Sequence, residues 1–428
     1  MIMNRKLYII SLLMTLLSVS CNDNLSGSLQ RFGVEVEVFT DDGKPLPDFD
    51  HAVLTFKNIS TGTSSSFKYP MPEDAEVLLG LYDVTFEGVA DDMTYYAVAR
   101  SVEIVSNSSL VRMSAFVNRN TDDLIIAEVF FSGTLQTSGN QYYGDDYVKL
   151  YNNTDHVVYA DGVTLFESKF LTTEKRDYFP DRMDEGVTVQ ALYTIPGNGN
   201  DHPVQPGEYI LLADTGIDHR QVNPNSFNLS HADWEWYDLS NVPSNIDIDS
   251  PDVENLDKWY CYTKSVFMLH NRGYRAVGIA RISGDKNSFL SDAAYSFDYE
   301  TVTIAGTFPM SDTGYLIPID DVIDVVNCSV PSEWAWNVTH PSLDRGFTGC
   351  GSTANDKNRY FKSVRRKLLY ITQDGRPVLK DTDNSSDDFN GNVIASEIEL
   401  QSTVCDINGS VASTITYDGV TPIDEVKQ

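Results

Sequence analysis

Apolar and polar residues alternate in the first part of the chain, as they do in β-strands with one face in water. The stretch Val34–Val38 has valine at every second position and glutamate between. Four further short runs also predict strands: Val53–Phe56, Ser66–Tyr69, Tyr95–Val105 and Ser109–Ala115. The pattern therefore predicts a separate β unit over residues 31–118.

A second set of apolar runs lies within Asp122–Ser168, at Leu124–Phe131, Tyr147–Tyr151 and Val157–Phe166. The segment between the first two runs is rich in Gly, Ser, Asn and Gln, as turns and loops are. These runs predict the start of a second β domain, after a boundary near Asn118–Thr121.

The segment Val77–Phe86, which reads VLLGLYDVTF, resembles the signature of prealbumin-like, carboxypeptidase-regulatory β-sandwiches. The resemblance implies that Gly80 turns the chain and that Tyr82, Val84 and Phe86 point into one core. It also implies that residues 31–118 serve as a spacer.

The second domain resembles a lamin-tail domain, which is a small immunoglobulin-like β-sandwich. Five blocks carry the resemblance: IAEV at Ile126–Val129, DDYVKLYN at Asp145–Asn152, ADGVTL at Ala160–Leu165, QPGEYILLA at Gln205–Ala213, and the strand Ile319–Val326. Lys149 stands where the family usually has an acid, and Val163 where it usually has an aromatic residue. We expect both departures on the solvent side or the rim.

The whole arrangement, including Asp381–Phe389, is similar to a family of uncharacterised Bacteroidetes outer-surface lipoproteins. The resemblance implies an all-β chain with two immunoglobulin-like sandwiches in series, at residues 31–118 and 122–400. Two long insertions, at about Ser168–Val204 and Asp214–Thr263, are expected as loops on the second sandwich, where binding sites often lie. Residues 401–428 are expected to form a loosely docked C-terminal tail.

The first twenty residues predict a secretory signal peptide, with Arg5 and Lys6 followed by the apolar run Leu7–Val19. Small residues precede Cys21, as in bacterial lipoprotein signals, so we expect lipidation of Cys21 and a polar tether over residues 21–30. An ordinary signal peptide with a chance cysteine is the alternative. The predicted attachment to the membrane is by lipid alone.

The net charge of the chain limits the kinds of molecule that it is expected to bind. The chain has 31 basic and 62 acidic residues, and without Arg5 and Lys6 the difference is 29 − 62 = −33. Such a charge disfavours nucleic acid and anionic lipid headgroups. It fits a solvated, surface-displayed protein or one that binds cations.

Aromatic residues gather at two places and are candidate binding residues. The first group lies in the second insertion and the other follows the Ile319–Val326 strand: Trp234, Trp236, Tyr237 and Trp259, then Trp334 and Trp336. Three interpretations stay open: a cap over the core, a docking interface, or a ligand platform. We predict that the second insertion is the recognition surface, with the Trp334 pair beside it.

Four cysteines follow Cys21, namely Cys261, Cys328, Cys350 and Cys405. An exported protein can form disulfides, and Cys328–Cys350 is the first choice because it closes a modest loop. Other pairings and four free thiols stay open. The spacing does not predict a zinc site.

Charged residues offer three further candidate sites. Acidic clusters at Asp247–Asp257 and Asp381–Asp388 are compatible with calcium, yet neither has the EF-hand order, so we expect solvated or turn-forming acids and no cofactor. His219 and His231 lie near Asp233 as a candidate metal or acid–base site. The basic run Arg365–Lys367 is expected to balance nearby acids.

No catalytic motif is recognisable, so the sequence favours a protein that is not an enzyme. We expect a non-catalytic outer-membrane lipoprotein facing the cell exterior. The resemblance to surface lipoproteins implies that it is a binding accessory of an energy-coupled (TonB-dependent) nutrient uptake system, with an outer-membrane receptor or transporter as partner. Surface adhesion or spacing is the alternative, and a secreted hydrolase without a recognisable motif is a further one.

Overall fold

The computed structural model describes residues 30–40, 46–90, 93–107, 109–118, 122–240, 242–243, 246–372 and 374–426. The predicted signal peptide and Cys21 lie outside the described residues. The chain divides into two compact units, Met1–Phe116 and Val117–Gln428. Strands make up 44% and helices 8% of the structure, so the all-β prediction is correct at this level.

The first unit is built from seven strands: β1 (Arg31–Thr40), β2 (His51–Asn58), β3 (Ser64–Lys68), β4 (Glu76–Leu78), β5 (Gly80–Ala90), β6 (Met93–Ile104) and β7 (Ser109–Asn118). They form one hydrogen-bonded series in the order β3-β2-β5-β6-β7-β1-β4. Strand β1 pairs in parallel with β7 and antiparallel with β4.

The core of the first unit follows the alternation of its strands. Tyr82, Val84 and Phe86 are buried in one cluster, as the sequence resemblance implied. Gly80 begins β5 rather than turning the chain. A Cβ atom there would lie 2.6 Å from the amide nitrogen of the Asn58 side chain, so a larger residue at position 80 would have to displace that side chain.

The second unit contains the remaining strands: β8 (Ile125–Phe130), β9 (Tyr147–Tyr151), β10 (Val158–Tyr159), β11 (Val163–Ser168), β12 (Gly186–Thr194), β13 (Pro203–Val204), β14 (Tyr209–Ala213), β15 (Trp234–Glu235), β16 (Glu254–Asn255), β17 (Asp257–Cys261), β18 (Ala276–Arg281), β19 (Ala294–Thr303), β20 (Gly306–Pro318), β21 (Val322–Asn327), β22 (Lys362–Arg366), β23 (Leu368–Ile371), β24 (Pro377–Leu379) and β25 (Phe389–Ile394). Its short helices are α1 (Lys286–Asp292), α2 (Ser385–Asp388), α3 (Ser396–Gln401) and α4 (Ile423–Val426).

Two large sheets organise the second unit. One has the order β16-β15-β14-β9-β8-β22-β25, and the other β19-β20-β12-β11-β18-β21, with β17 also paired to β12. The largest buried cluster takes Val148 and Leu212 from the first sheet and Leu165 and Ile279 from the second. The two sheets therefore share one hydrophobic core.

Both predicted insertions contain strands, so the prediction of long loops is wrong. Strand β12 lies within Ser168–Val204 and is buried along its whole length. Its Val187 and Leu192 pack into one cluster and Tyr193 into another, because the strand is central and has no solvent face. Strands β15, β16 and β17 lie within Asp214–Thr263.

The C-terminal tail is docked firmly rather than loosely. Cys405, Ala412 and Val426 are buried. The Arg365 guanidinium donates hydrogen bonds to the carbonyl oxygens of Thr416 at 2.8 Å and Tyr417 at 3.1 Å. The tail is thus part of the second unit.

Candidate functional site

Trp234 and Trp236 lie in the core of the second unit. Strand β15 pairs in parallel with β14 and places Trp234 opposite Leu212. The exposed fractions of Trp234 and Trp236 are 6% and 0%. The prediction that these two form an exposed recognition surface is therefore wrong, because β15 is paired on both sides, with β14 and β16, and both indoles pack into the core cluster.

Tyr237 and Trp259 are half-buried. Trp259 packs against Phe289 of α1, with ring centroids 5.9 Å apart, in a cluster separate from the one that holds Trp236. The predicted aromatic group is consequently divided between different parts of the core, and it does not form a platform.

Trp334 and Trp336 have different surroundings. Trp334 is 43% exposed and stacks on Phe347 at 4.9 Å. Trp336 is half-buried, and its indole N–H donates to the carbonyl oxygen of Leu171 at 2.8 Å. Trp336 also stacks near Tyr178, at 6.3 Å, and Tyr178 in turn contacts Phe297 of β19.

Strands β19 and β20 form a long antiparallel hairpin, paired from Ala294–Tyr315 to Thr303–Gly306. Aromatic residues cover the base of one face. Phe297 contacts Phe170 at 5.2 Å and Tyr178 at 5.5 Å. The guanidinium of Arg176 lies 4.7 Å from the ring centroid of Tyr299. The base of the hairpin is therefore held by packing.

The far end of the hairpin is apolar and exposed. Four side chains, which we call the hairpin tip, are Val302, Ile304, Phe308 and Met310. Val302 is 78% exposed, and Ile304 in the two-residue loop is fully exposed. Residues 301–310 contain no charged side chain. In a chain with a net charge of −31, this neutral apolar end is unusual and resembles an interaction surface.

Strand β19 also has one side on which most of its backbone is not paired with another strand. It is the last strand of its sheet, and on its outer side the described residues provide one bridge, between Phe179 and Asp298. Hydrogen-bonding groups alternate in direction along a strand. The N–H and C=O groups of Glu300 and Val302 therefore point outward, in the same direction as those of Asp298.

Two cavities of similar volume lie among the described residues. One has a volume of about 280 Å³ and is lined by Arg182, Phe289 and Asp321 among others. Another of about 290 Å³ is lined by Asp123, His156 and Arg281 among others. Both volumes lie slightly below the roughly 300 Å³ at which binding pockets for small molecules usually begin.

The candidate histidine site is not assembled. The buried His219 is hydrogen-bonded to Tyr142 at 2.9 Å and to the Thr215 carbonyl oxygen at 2.9 Å. His231 instead lies 3.2 Å from a carboxylate oxygen of Glu397. Each histidine has its own structural partners, and among the described residues no three His, Cys, Asp or Glu side chains are grouped as a metal site.

The basic run balances acids, as the sequence predicted. Arg366 in β22 pairs with Asp324 and, at 2.9 Å, with Asp381, and its guanidinium lies 4.5 Å from the centroid of the Phe389 ring. Arg366 is almost fully buried. The run therefore stabilises the interior and is not an anion-binding surface.

Lys149 and Val163 are buried, which corrects the expectation that both lie on the solvent side or rim. The Lys149 ammonium lies 2.6 Å from Glu397 Oε1 and donates to Ser396 Oγ at 2.6 Å. Glu397 of α3 therefore balances the charge of this buried ammonium group.

The described cysteines are free thiols, so the predicted Cys328–Cys350 disulfide is not formed in this structure. Both residues are buried in the same core cluster. Burial raises the pKa of Cys328, and the neighbouring Cys350 raises it further. The thiols therefore stay protonated and pack as small apolar groups.

No helix in the described part of the chain is both long and apolar enough to cross a membrane. Residues 205–396 match the model of a family described as "Protein of unknown function (DUF4876)". A comparison with curated proteins finds no match.

A similar solved structure is the crystal structure of a DUF4876 family protein from Bacteroides thetaiotaomicron VPI-5482 at 2.50 Å resolution. The two chains are 18% identical with a TM-score of 0.53, over 85% of this chain and 95% of the other. The likeness supports the fold and is consistent with an uncharacterised Bacteroidetes family.

The hairpin tip was not singled out by the sequence. Thr301–Phe308 spans the end of β19 and the start of β20. The available signal was the ten-residue uncharged run at 301–310 in an acidic chain. Apolar composition alone does not distinguish a core strand from an exposed hairpin.

Proposed function

We propose that this protein is a non-catalytic, lipid-anchored accessory of an energy-coupled (TonB-dependent) nutrient uptake system at the outer membrane. The hairpin tip is its contact with the receptor or transporter. The observation that carries the proposal is the exposed, uncharged apolar end of the β19–β20 hairpin beside an open strand edge. The lipoprotein-like sequence at Cys21 supplies the membrane attachment.

The chemistry of the surface suits a protein partner with an extended segment. Glu300 and Val302 offer outward backbone groups, which can add a strand from another chain. The apolar side chains of the tip then cover that segment and exclude water. Because residues 301–310 are uncharged, a receptor can approach this end without direct charge repulsion from the tip.

The proposal is tested by co-purification from solubilised outer membrane. Ile304→Asp and Val302→Asp place a charge in the contact without removing a buried group. A lost anchor residue typically costs about 2 kcal/mol or more, which is about 30-fold in affinity. We therefore expect both variants to lose the receptor while their melting temperatures stay within about 2 °C of the parent.

Leu239→Asp is the matched control, because Leu239 is an exposed apolar residue outside the hairpin. It is expected to retain the receptor. A Cys21→Ala variant is expected to leave the membrane fraction, which tests the anchor separately. Retention of the receptor by both hairpin variants would show that the contact lies elsewhere, and capture of matrix or host-surface proteins instead would favour adhesion.

A further inference from the structure

Two aspartates face each other across neighbouring strands of the second unit. Asp146 precedes β9 and Asp214 follows β14, and these strands pair Tyr147 with Ala213. The Asp214 N–H donates to the carbonyl oxygen of Asp146 at 2.8 Å. The ladder therefore continues by one pair, and residues directly opposite have Cβ atoms about 5 Å apart. Both side chains project from the same face of the sheet.

Both carboxylates are buried, and three of their four oxygens have no hydrogen-bond partner among the described residues. Asp146 is 1% exposed and Asp214 is 3% exposed. Neither carboxylate oxygen of Asp146 has a hydrogen-bond partner among the described residues, and the same holds for Oδ2 of Asp214. The backbone N–H of Gly133 is close enough to lower the pKa of Asp146. It does not form a hydrogen bond to either carboxylate oxygen of Asp146. Buried polar groups in native proteins almost always have partners.

The adjacent Asp145 shows that the missing partners are specific to the facing pair. Asp145 is equally buried, yet its carboxylate accepts hydrogen bonds from Ser226 at 2.6 Å and from the hydroxyl and backbone N–H of Thr134. The carboxylate of Asp145 therefore has hydrogen-bond donors within the fold, whereas the carboxylate of Asp146, which faces Asp214, has none among the described residues.

The surroundings add negative charge. Burial raises the pKa of Asp146, and Asp214, Asp145 and Glu167 raise it further. Burial raises the pKa of Asp214 too, and Asp247, Asp145, Asp238 and Glu235 add to that effect. The cations that face these neighbours are already paired, since Lys258 lies 2.6 Å from Asp238 and Arg275 lies 3.6 Å from Glu167.

We propose that the facing pair Asp146 and Asp214 binds a divalent cation, with Ca²⁺ as the preferred ion. Ca²⁺ takes six to eight oxygen ligands in flexible geometry, and Mg²⁺ demands a near-ideal octahedron. Two carboxylates supply up to four oxygens. Because the described residues contain no group of three acidic, His or Cys ligands, backbone oxygens and water complete the shell. The site lies outside the hairpin tip, and Asp247 is one of its charged neighbours.

The first test measures calcium binding to the full-length mature protein after EGTA treatment. Equilibrium dialysis with ⁴⁵Ca²⁺ is expected to show one site, and binding should weaken from pH 7.5 to pH 5.5 because protons compete for the carboxylates. A hundredfold excess over Kd is expected to raise the melting temperature by about 5 °C. Absence of both binding and a thermal shift would overturn the proposal.

Neutral variants locate the site. Asp146→Asn and Asp214→Asn remove one charge each at constant size. Both are expected to abolish the calcium response without lowering the melting temperature in EGTA, because charge repulsion is relieved. Asp252→Asn is the control, because Asp252 is exposed, and it should respond as the parent does. A retained response in both pair variants would place the ion elsewhere and overturn the assignment.

Two other outcomes also decide the question. If the parent binds no calcium or magnesium while Asp146→Asn is more stable than the parent, the pair shares a proton and holds no metal. If the Asn variants fail to fold, the dialysis of the parent still decides between one site and none. None of these results depends on receptor binding.

Discussion

The position of single side chains in this protein is decided by backbone pairing that local sequence does not reveal. Trp236 lies among aromatics and acids that suggest an exposed loop, but its backbone N–H donates to the Ala213 carbonyl oxygen at 3.1 Å, which places it beside the end of β14. Its ring then packs near Phe267, at 6.4 Å. The sequence could predict an aromatic cluster but not its direction, because β15 has only two residues.

Trp236→Ala is expected to lower the free energy of unfolding by about 3–5 kcal/mol, because it leaves a large cavity in the core. Urea unfolding followed by circular dichroism measures the change. Trp334→Ala, at an exposed position, should cost less than about 1 kcal/mol. Equal costs for the two variants would contradict the described burial.

A buried ion pair at Glu397 makes stability depend on pH. Burial alone would raise the pKa of Glu397, but Lys149 and His231 outweigh it and lower the pKa to about 2. A carboxyl group with a lowered pKa in the folded state stabilises the protein above its unfolded pKa. That stabilisation is lost as the pH falls through the folded pKa.

Glu397→Gln is therefore expected to cost about 3 kcal/mol at pH 7, and the deficit should shrink as the pH falls from about 4.5 towards 2. Chemical denaturation across this range measures it. Glu254→Gln, at an exposed position, serves as the control. A deficit of constant size over the whole range would mean that the charge of Glu397 is not the cause.

At the scale of elements, alternation and apolar runs predicted most strand positions. Tyr147–Tyr151 matches β9 residue for residue, and Val157–Phe166 is divided into β10 and β11 by a turn with Gly162 at a φ of 76°. Strand β12 was missed because Asp, Gly, Asn and Pro flank it on both sides. Strand pairing and the exposure of the hairpin depend on distant contacts, which a single sequence does not show.

Two proline variants test the direction of the backbone groups along β19. Val302→Pro removes an N–H that points outward, so the melting temperature should change little while receptor binding is lost. Thr301→Pro removes an N–H that points towards β20, so it should lower stability as well. Thermal melts and co-purification measure the two effects. If both variants were equally unstable, the assigned direction of the edge would be incorrect.

At the scale of the whole molecule, the division between the two units lies close to the expected boundary. The first unit ends at Phe116, two residues before the break suggested near Asn118–Thr121. Its strands pair among themselves, and its core cluster contains residues of the first unit alone. Turn composition and a strand signature were enough to suggest this boundary.

Residues 31–118 are therefore expected to fold alone, with β-type circular dichroism and a cooperative thermal transition. The same fragment with Val84→Asp, which places a charge in its core, serves as the unfolded control for the circular dichroism spectrum. A spectrum of the parent fragment that resembles this control would mean that the first unit depends on the second.

The most direct test of the proposed function is site-specific photo-crosslinking in intact cells, with a photoreactive amino acid at position 304. Position 239 is the matched control. We expect a defined crosslinked product at position 304 that contains an outer-membrane receptor or transporter, and no such product at position 239. Equal crosslinking at both positions, or a product at 304 without such a receptor, would contradict it.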